Sequence, residues 1–307
     1  MKVHENIEAV EQLKNPVVTI GTFDGVHIGH QAIFNKMKEE AAKIGGETVV
    51  ITFFPHPRIV LGLDNAQLRF INQQNKKIAL IEKAGIDHLI IIKFTKEFSL
   101  KTSVEFIKGM VIDKINPAII VIGYDHHFGK NREGNFNLLN SYSKQYGFKL
   151  IQVEAQVIDD ITVSSSKIRK LLEAGNVGEA NALLGYVYSI TGKVVKGKSI
   201  GKDIGFPTAN IETGDEYKLI AAVGVYACLI EYKGKRYKGM SNIGFRPTID
   251  HGDLTIEVNI FDFNQQIYGE EITIYFVERL RNEKKFDSLQ ALVEQLNKDK
   301  EHTLEIL

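Results

Sequence analysis

The stretch IGTFDGVHIGH, residues 20–30, constrains the fold of this chain more than any other. It holds three glycines and two histidines within ten positions, namely Gly21, Gly25, Gly29, His27 and His30. The short apolar run before it, residues 17–20, predicts a buried strand, and the amphipathic segment 31–44 after it predicts a helix. Glycines let a backbone turn tightly and approach a ligand closely. The order strand, glycine-rich turn, helix therefore predicts a βα unit with a ligand at its turn.

The start of the predicted helix suits a phosphate group. Its first N–H groups have no partner within the helix, and the helix dipole places positive charge there. His27 and His30 are three positions apart, so in a helix they would share a face at that end. An ordinary βα turn whose histidines cap the helix or face solvent is the alternative. The added H-x-G-H pattern favours the phosphate site.

Other phosphate and metal motifs are absent from this stretch. It is neither the dinucleotide fingerprint G-x-G-x-x-G nor a P-loop, which requires G-K-[ST]. The histidine spacing differs from that of the helical zinc motif H-E-x-x-H, and no cysteine cluster accompanies it. A zinc site is therefore not expected here.

Composition excludes several classes of protein. The length of 307 residues suggests two domains, and 38 basic residues balance 38 acidic ones, so no bulk positive charge favours nucleic acid or an acidic membrane. The single cysteine, Cys228, stands in an apolar run and is predicted to be a buried side chain. The N-terminus lacks a signal-peptide core, and no apolar run approaches the ~20 residues of a membrane helix. We therefore expect a cytoplasmic protein.

Strand-like and helix-like segments alternate up to about Gly185. The predicted strands are residues 17–20, 48–53, 88–93, 118–122 and 149–153. The predicted helices are residues 31–44, 73–84, 103–113, 136–146, 165–174 and 177–184. Such alternation predicts βαβ units and a parallel sheet in a first domain of residues 1–185.

From Tyr186 onward, short strands and turns replace this alternation. The predicted strands are residues 187–195, 224–232, 236–243, 255–261 and 271–277, followed by one amphipathic helix at 288–297. This pattern predicts a small antiparallel barrel with a terminal helix in a second domain of residues 186–307. The fold class expected for the whole chain is therefore α/β plus β.

The motifs of the first domain collect at one edge of its predicted sheet. Ligands of parallel α/β sheets bind at the carboxyl ends of the strands. Besides the glycine-rich stretch, three motifs follow predicted strands: FFPHP at 53–57, GYDHHFG at 123–129 and SSSKIR at 164–169. Each alone is equally typical of a rigid loop, a solvated loop or a helix cap. Their shared position predicts a binding site.

In combination, G-x-F-D-G-x-H-x-G-H, T-F-x-P-H-P, G-x-D-x-x-F-G and S-S-x-x-I-R resemble the adenylyltransferase module of bacterial bifunctional riboflavin kinase/FAD synthetases. That module is a Rossmann-like member of the H-x-G-H nucleotidyltransferase superfamily. The resemblance covers most of residues 15–184. It implies the reaction of FMN with ATP to give FAD and pyrophosphate, with Mg²⁺ bridging phosphate oxygens.

The resemblance also implies roles for individual residues. His27, His30 and Arg169 would contact the ATP phosphates and the charge that develops on them. The other nucleotide-binding residues would be Gly21, Phe23, Asp24, Gly25, Gly29, Ser165 and Ser166. The flavin would be bound by His56, Asp125 and Phe128. His126 and His127 replace the aromatic residue and the arginine of the usual Asp-Phe-Arg-Phe-Gly, so this chain departs from the family there.

The second centre is GKSIGKDIGFPTAN, residues 197–210. Three glycines at a spacing of four precede a rigid Phe-Pro and two oxygen-bearing side chains, Thr208 and Asn210. Glycine-rich backbone can wrap phosphates, and neutral oxygens suit a hard cation. Glycines alone would equally indicate a barrel hairpin. The full string resembles the riboflavin kinase signature G-x-x-x-G-[RK]-x-x-G-F-P-T-A-N, and the match extends over nearly all of residues 186–300.

This resemblance implies phosphorylation of riboflavin by ATP to give FMN and ADP. ATP would be bound by Gly197, Gly201, Lys202, Gly205 and Pro207, and Mg²⁺ would be held by Thr208 and Asn210. Glu257 would accept the proton of the riboflavin 5′-hydroxyl. Strand alternation places the Glu257 side chain on the face of the strand away from Ile256 and Val258. A glutamate that only faces solvent is the alternative. The flavin would be bound by Arg279, Arg281 and Glu283.

The leading interpretation is one polypeptide that performs two consecutive steps of flavin cofactor synthesis. A riboflavin kinase whose adenylyltransferase domain binds without turnover is the main alternative, supported by His126 and His127. A non-catalytic flavin-binding regulator and a nucleic-acid-binding barrel are further alternatives. The intact candidate catalytic residues argue against the regulator, and the lack of a basic stripe argues against the nucleic-acid-binding barrel. The expected partners are ATP, riboflavin and FMN, without nucleic acid or membrane and with at most weak or transient self-association.

Overall fold

The structure, a computed structural model, describes residues 1–62, 68–130, 133–197, 204–245 and 254–307. Backbone proximity divides the chain into two compact units, Met1–Ser164 and Ser165–Leu307. The first unit is built on an open sheet, and the second is built on a closed barrel.

The first unit consists of strands connected by helices. Its strands are β1 (Lys2–His4), β2 (Val17–Ile20), β3 (Thr48–Phe54), β4 (His88–Lys93), β5 (Ile119–Gly123), β6 (Lys149–Val153), β7 (Val157–Ile158) and β8 (Ile161–Thr162). Its helices are α1 (Ile28–Ile44), α2 (Pro57–Val60), α3 (Gln74–Lys83), α4 (Lys96–Ser99), α5 (Ser103–Phe106), α6 (Asp113–Ile115) and α7 (Phe136–Tyr146). A 3₁₀ turn spans Ile7–Ala9, and a π-helical segment, Ile107–Ile112, joins α5 to α6.

Strands β1 to β6 form one sheet in the order β1-β4-β3-β2-β5-β6, and every pair in it is parallel. The central strand β2 places Val17 opposite Thr48 of β3 and opposite Ile119 of β5. All residues of β2 are buried. A parallel strand covered on both faces has this continuous apolar character. The predicted parallel α/β domain is therefore confirmed.

Successive side chains of β2 supply two different cores, because neighbouring residues of a strand point to opposite faces of the sheet. Val18 belongs to a cluster that includes Phe106 of α5. Val17 belongs to the other cluster, with Phe34 and Met37 of α1. Full burial of such a side chain contributes roughly 1.5–3 kcal/mol relative to exposure. These two cores fix β2 and α1, and so position the turn between them.

The second unit begins with two helices and continues as a barrel. The helices are α8 (Ser165–Ala174) and α9 (Val177–Leu184), with α10 (Leu289–Ile306) at the end of the chain. The strands are β9 (Ser189–Val195), β10 (Ala209–Glu212), β11 (Gly224–Tyr232), β12 (Lys235–Phe245), β13 (Leu254–Ile260) and β14 (Glu271–Arg281).

The barrel closes in the order β10-β13-β12-β11-β14-β9, and every pair is antiparallel. Strands β11 and β12 form a hairpin whose two turn residues, Lys233 and Gly234, have φ values of 48° and 75°. Positive φ at both positions matches the right-handed twist of the flanking strands. Inside the barrel, the rings of Tyr226 and Phe276 meet edge to face with centroids 5.5 Å apart. The predicted antiparallel barrel with a terminal helix is confirmed.

The structure also contains short strands that the sequence pattern did not predict. Strand β1 buries only one of its three side chains, so it shows no periodicity. Strand β10 begins at the end of residues 197–210, a segment interpreted as a ligand loop. Helix α10 continues beyond the predicted end at residue 297. The prediction ended too early because it followed the apolar pattern, which the polar residues Asp299 and Thr303 interrupt on the buried face of the helix.

Cys228 is fully buried, as predicted, and burial raises the pKa of its thiol well above the usual value. Across the described ranges, no helix combines the length and the apolar character that crossing a membrane requires.

Candidate active sites

The turn between β2 and α1 is tightly folded. Phe23, Gly25 and Val26 have φ values of 50°, 86° and 38°, and the Val26 N–H donates to the Phe23 carbonyl at 3.2 Å. A Cβ atom at Gly21 would lie 2.9 Å from Cζ of Phe23, so only glycine lets that ring lie over the backbone. Glycine is therefore required at position 21 because a side chain would collide with Phe23, and it is favoured at position 25 because φ is positive there.

Asp24 joins this turn to the chain segment before α3. Its side chain is buried, and its Oδ1 accepts hydrogen bonds from the backbone N–H groups of Ile71 at 3.0 Å and Asn72 at 3.4 Å. A buried carboxylate requires such donors. The predicted role of Asp24 in nucleotide binding stays a prediction, and the structure gives it a role in holding the turn.

His27 and His30 lie together at the start of α1. His27 is the N-cap residue, and the two imidazole rings stack with centroids 3.6 Å apart. Phe23 packs its ring against that of His30 at 5.1 Å, nearly perpendicular to it. Among the described residues, the buried Nδ1 of His30 has no hydrogen-bond partner. Burial, then the nearby charges of His27 and Lys77, place the pKa of His30 well below its usual value.

Lys77 on α3 is a residue of this region that the sequence analysis did not single out. It is only 8% exposed, and its Nζ lies 3.5 Å from the carbonyl oxygen of Thr22. Burial lowers the pKa of its amine to about 8, although the nearby Asp24 acts in the opposite direction. A single lysine in an amphipathic helix carries no motif, so no signal in the sequence pointed to it.

The other predicted first-unit residues follow β3 and β5, the two neighbours of β2 in the sheet. His56 is the N-cap of α2, and its ring lies 4.6 Å from that of Phe70. Asp125 is exposed and Phe128 is buried, while the backbone of Phe128 pairs with Gly134. Because the carboxyl ends of adjacent parallel strands meet at one edge, the topology brings these segments to the same edge as the β2–α1 turn.

The departure at His126 and His127 has a structural consequence. The His126 ring lies 5.6 Å from that of Phe128, and its buried Nε2 has no hydrogen-bond partner among the described residues. Burial, with a smaller effect of His127, lowers the pKa of His126 to about 4. The ring is therefore uncharged near physiological pH, as is the aromatic residue that it replaces.

Ser165, Ser166 and Arg169 lie in the first two turns of α8, and α8 belongs to the second unit. Ser166 is exposed, whereas Ser165 and Arg169 are half-buried. Their predicted contact with the ATP phosphates stays a prediction.

In the barrel, Thr208, Asn210 and Glu257 come together. Asn210 of β10 lies opposite Glu257 of β13, and the Thr208 hydroxyl lies 3.5 Å from Oε2 of Glu257. Asn210 is buried, and a Cβ atom at Gly197 would overlap its side-chain amide. Ile256 and Val258 point into the core, so Glu257 lies on the other face, as alternation predicted. The cluster joins a carboxylate, a hydroxyl and an amide.

The backbone before this cluster is held by side chains on the outer face of the barrel, beside the terminal helix. Phe206 packs against Met240 and Phe261, and the Asn259 side-chain amide donates to the Pro207 carbonyl at 2.6 Å. Asn259 was not among the predicted site residues, although it lies two positions from Glu257 on the same strand face. Gly205 has a φ of 81°. The predicted ATP-binding residues Gly201 and Lys202 lie outside the described residues.

The three residues predicted to bind flavin near the end of β14 all contact other parts of the protein. Arg279 donates through Nη2 to the carbonyl of Val223. Arg281 forms an ion pair with Asp299 at 2.7 Å, and Glu283 accepts a hydrogen bond from the Asn242 amide at 3.1 Å. Their contacts with flavin stay predictions.

Fold and sites together define a class. A parallel α/β unit with a histidine pair at a helix start, followed by a closed barrel with a carboxylate beside a hydroxyl and an amide, is typical of a two-domain enzyme that transfers phosphorus-containing groups from a nucleotide. In the part of the chain that the structure describes, no group of three or more histidine, cysteine or acidic side chains could hold a metal ion.

Comparison with known protein families makes the assignment specific. Residues 9–167 match the model of FAD synthetase, and residues 184–307 match that of riboflavin kinase. The chain belongs to the family of bifunctional riboflavin kinase/FMN adenylyltransferases. It therefore combines the two enzymatic activities, in agreement with the leading interpretation and not with the kinase-only alternative.

Curated relatives share this organisation over nearly their full length. A bifunctional riboflavin kinase/FMN adenylyltransferase of Listeria monocytogenes is 37% identical over 290 residues, which cover 94% of this chain and 91% of the relative. The Bacillus subtilis enzyme of the same description is 38% identical over 298 residues, covering 96% and 93%. A crystal structure described as a macrolide-efflux protein from Streptococcus pneumoniae is 34% identical, covers 98% of each chain and has a TM-score of 0.90.

Proposed function

We propose that the first unit binds ATP at the β2–α1 turn and FMN along the same edge of the sheet, beside His56, Asp125 and Phe128. The observation that carries this proposal is the histidine pair at the start of α1, where the buried Nδ1 of His30 has no partner among the described residues. The first N–H groups of a helix and two imidazoles at one point form a site for phosphate oxygens.

The adenylyl transfer follows from this placement. A phosphate oxygen of FMN attacks the α-phosphorus of ATP, the new P–O bond forms, and the bond to the β-phosphate oxygen breaks to release pyrophosphate. The attacking oxygen is already ionised near neutral pH, so the reaction needs no strong base. His27 and His30 position the phosphates and stabilise their charge. The roles that the resemblance implies for Ser165, Ser166 and Arg169 toward the ATP phosphates stay predictions.

We propose that the barrel phosphorylates the riboflavin 5′-hydroxyl with Glu257 as the base. The hydroxyl proton moves to the Glu257 carboxylate while the oxygen attacks the γ-phosphorus and ADP leaves. A neutral alcohol is a weak nucleophile, which makes a carboxylate at this point useful. The Thr208 hydroxyl at 3.5 Å from Glu257 supports a shared site.

Mg²⁺ fits the same group of residues. The hydroxyl of Thr208 and the side-chain oxygen of Asn210 are neutral oxygen donors beside a carboxylate, which is the chemistry that this ion prefers. Thr208 and Asn210 would hold it, and it would offset the negative charge of the ATP phosphates. We further propose a cytoplasmic enzyme whose partners are small molecules, with at most weak or transient self-association. Its balanced charge supports the absence of nucleic-acid binding.

A chromatographic time course of riboflavin, FMN and FAD tests the site assignments. With Mg²⁺ and excess ATP, the unmodified protein should convert riboflavin to FMN and then to FAD, and removal of Mg²⁺ by EDTA should stop both steps until Mg²⁺ is restored. His30→Ala should lower FAD formation by about 10²–10³-fold and leave FMN formation intact. Glu257→Gln should lower FMN formation by about 10²–10⁴-fold and leave adenylylation of supplied FMN intact.

The two variants serve as controls for each other. An unchanged FAD rate in His30→Ala would remove the role of His30, and an unchanged FMN rate in Glu257→Gln would remove that of Glu257. Turnover that persists in EDTA would contradict the Mg²⁺ assignment.

A further inference from the structure

Arg281 and Asp299 form a bidentate pair between the end of β14 and the terminal helix α10. Nε of Arg281 lies 3.0 Å from both carboxylate oxygens of Asp299, and Nη2 lies 2.7 Å from Oδ2. The Asp299 side chain is 4% exposed and that of Arg281 is 20% exposed. The Gln295 amide donates to Oδ1 of Asp299 at 2.9 Å. A planar guanidinium and a carboxylate in this geometry fix both distance and orientation.

The remaining donor edge of Arg281 holds the segment that follows β14. Nη1 donates to the carbonyl of Asn282 at 3.0 Å, and the guanidinium carbon lies 5.8 Å from the centre of the Phe286 ring. Nε, Nη1 and Nη2 are thus all engaged within the protein. Its positive charge is matched by the buried carboxylate of Asp299, so Arg281 is poorly suited to contact a flavin directly.

The held segment reaches β12, the neighbour of the strand that carries Glu257. Glu283 accepts a hydrogen bond from the Asn242 amide at 3.1 Å, and Asn242 of β12 lies directly opposite Glu257 of β13. Gly244 leaves the space that the Glu283 carboxylate fills, because a Cβ atom there would overlap it. The position of residues 282–286 is therefore coupled to the barrel wall beside the proposed kinase site.

We propose that Arg281 and Asp299 are positioning residues for riboflavin binding in the kinase reaction. They hold residues 282–286 against the barrel, so that this segment forms one wall of the flavin site, and they do not contact the flavin. The proposal rests on the proposed kinase site at Glu257. It replaces the prediction that Arg281 binds flavin.

The test separates binding of riboflavin from the chemical step. Asp299→Asn keeps the shape of the side chain and removes its charge, and Arg281→Lys keeps the ion pair and loses the planar fork. In the full-length protein, both should raise the KM for riboflavin by about tenfold or more, because small displacements of positioning groups are costly. Because the reacting groups are unchanged, kcat and the KM for ATP should stay near wild-type values. Quenching of riboflavin fluorescence in the presence of ADP and Mg²⁺ should report the same loss of affinity.

Glu270→Gln is the matched control, since it removes an exposed ion pair with Lys233 on the same barrel, N to O distance 3.2 Å, and should leave the KM for riboflavin unchanged. Adenylylation of supplied FMN should be unchanged in all variants, and a kcat near the wild-type value reports an intact barrel. A wild-type KM for riboflavin in both Asp299→Asn and Arg281→Lys overturns the proposal. A loss confined to kcat in Arg281→Lys also overturns it, because that result would make Arg281 a catalytic residue. Failure of the Glu257 assignment is a separate result, since it is decided by Glu257→Gln alone.

Discussion

The imidazole rings of His27 and His30 lie stacked, with centroids 3.6 Å and planes 18° apart. Two positive charges at this separation would repel each other, and burial disfavours charge on the ring of His30. The pKa of His30 is accordingly well below its usual value of 6.5. Without ligand, His30 is therefore a neutral imidazole. The phosphates of ATP would favour the charged form.

We expect NMR titration of the ligand-free protein to show His30 changing protonation clearly below pH 6.5. Addition of ATP should raise that midpoint, because negative phosphates stabilise the imidazolium. His27→Gln should also raise it, because the substitution removes the neighbouring charge. A midpoint at or above 6.5 in the ligand-free protein would show that stacking and burial do not control this ring.

From the lowered pKa of the buried Lys77 amine, we predict that the free energy of unfolding depends on pH. The pKa of Lys77 is about 8 in the folded protein against 10.5 for an ordinary lysine, so between these values the unfolded chain binds more protons. The free energy of unfolding should therefore rise with pH across this window, by on the order of 2–3 kcal/mol for this residue. Lys77→Met removes the titrating amine. Between about pH 7.5 and 10, the free energy of unfolding of the wild type should therefore rise relative to that of this variant.

Urea unfolding followed by circular dichroism at several pH values measures this difference. Lys83→Met, on the exposed side of the same helix, is the matched control. Equal pH slopes for the Lys77→Met and Lys83→Met variants would contradict the prediction.

From the lowered pKa of His4, we predict that the free energy of unfolding decreases in acid. Nε2 of His4 lies 3.1 Å from Nδ1 of His88, and burial, followed by the charges of His88 and Lys2, lowers the pKa of His4 below 6.5. Below pH 6.5 the unfolded chain therefore binds more protons than the folded one, and the free energy of unfolding falls as pH falls. The edge strand β1 should detach first.

His4→Gln keeps a polar side chain without a charge that titrates in this range, so it should reduce the acid sensitivity. Hydrogen exchange of the β1 amides at pH 5 and pH 7, corrected for intrinsic rates, measures the effect. Identical acid responses of wild type and His4→Gln would contradict it.

We predict that a side chain at position 197 lowers the riboflavin kinase activity and leaves the adenylyltransferase activity unchanged. A Cβ atom at this position would lie 2.7 Å from Cγ of Asn210, so Gly197→Ala must displace that amide from its place opposite Glu257. We expect the rate of FMN formation to fall on the order of tenfold or more, since small displacements in an active site are costly. Adenylylation of FMN should not change.

Gly178→Ala on α9 is the control for Gly197→Ala, because a Cβ atom there meets no atom within 4 Å. The measurement is the initial rate of each reaction for both variants. A normal kinase rate in Gly197→Ala would show that the position of Asn210 is not critical.

Much of the fold could be predicted from the sequence because its elements follow simple periodicities. Strands such as β2 are buried along their whole length and mostly apolar, and the apolar residues of α1 recur with a helical period. The β2–α1 turn was also predictable, since closely spaced glycines between a strand and a helix are typical of a tight turn. Strands β1 and β10 could not be predicted, because they are short and are fixed by pairing with strands distant in the sequence.

The sites were predictable where a residue type carries the chemistry itself. His27 and His30 stand out in this way, whereas the role of Glu257 came only from the resemblance, and all three roles stay predictions. Lys77 could not be found, because its position depends on a carbonyl 55 residues earlier in the chain. For Arg281, the sequence indicated the region, but its partner Asp299 lies on another element, and only the structure shows that the guanidinium is engaged there.

Closure of the barrel has a consequence for synthesis of the chain on the ribosome. The hydroxyl oxygens of Thr191 in β9 and Thr273 in β14 lie 2.9 Å apart, although the two residues are 82 positions apart in sequence. The first unit can fold once residue 164 has emerged, whereas β9 has no partner on one side until β14 follows. During this interval, unpaired strand edges are exposed on the nascent chain. The barrel, and not the parallel sheet, is therefore the part of the chain whose strand edges stay unpaired until β14 has been synthesised.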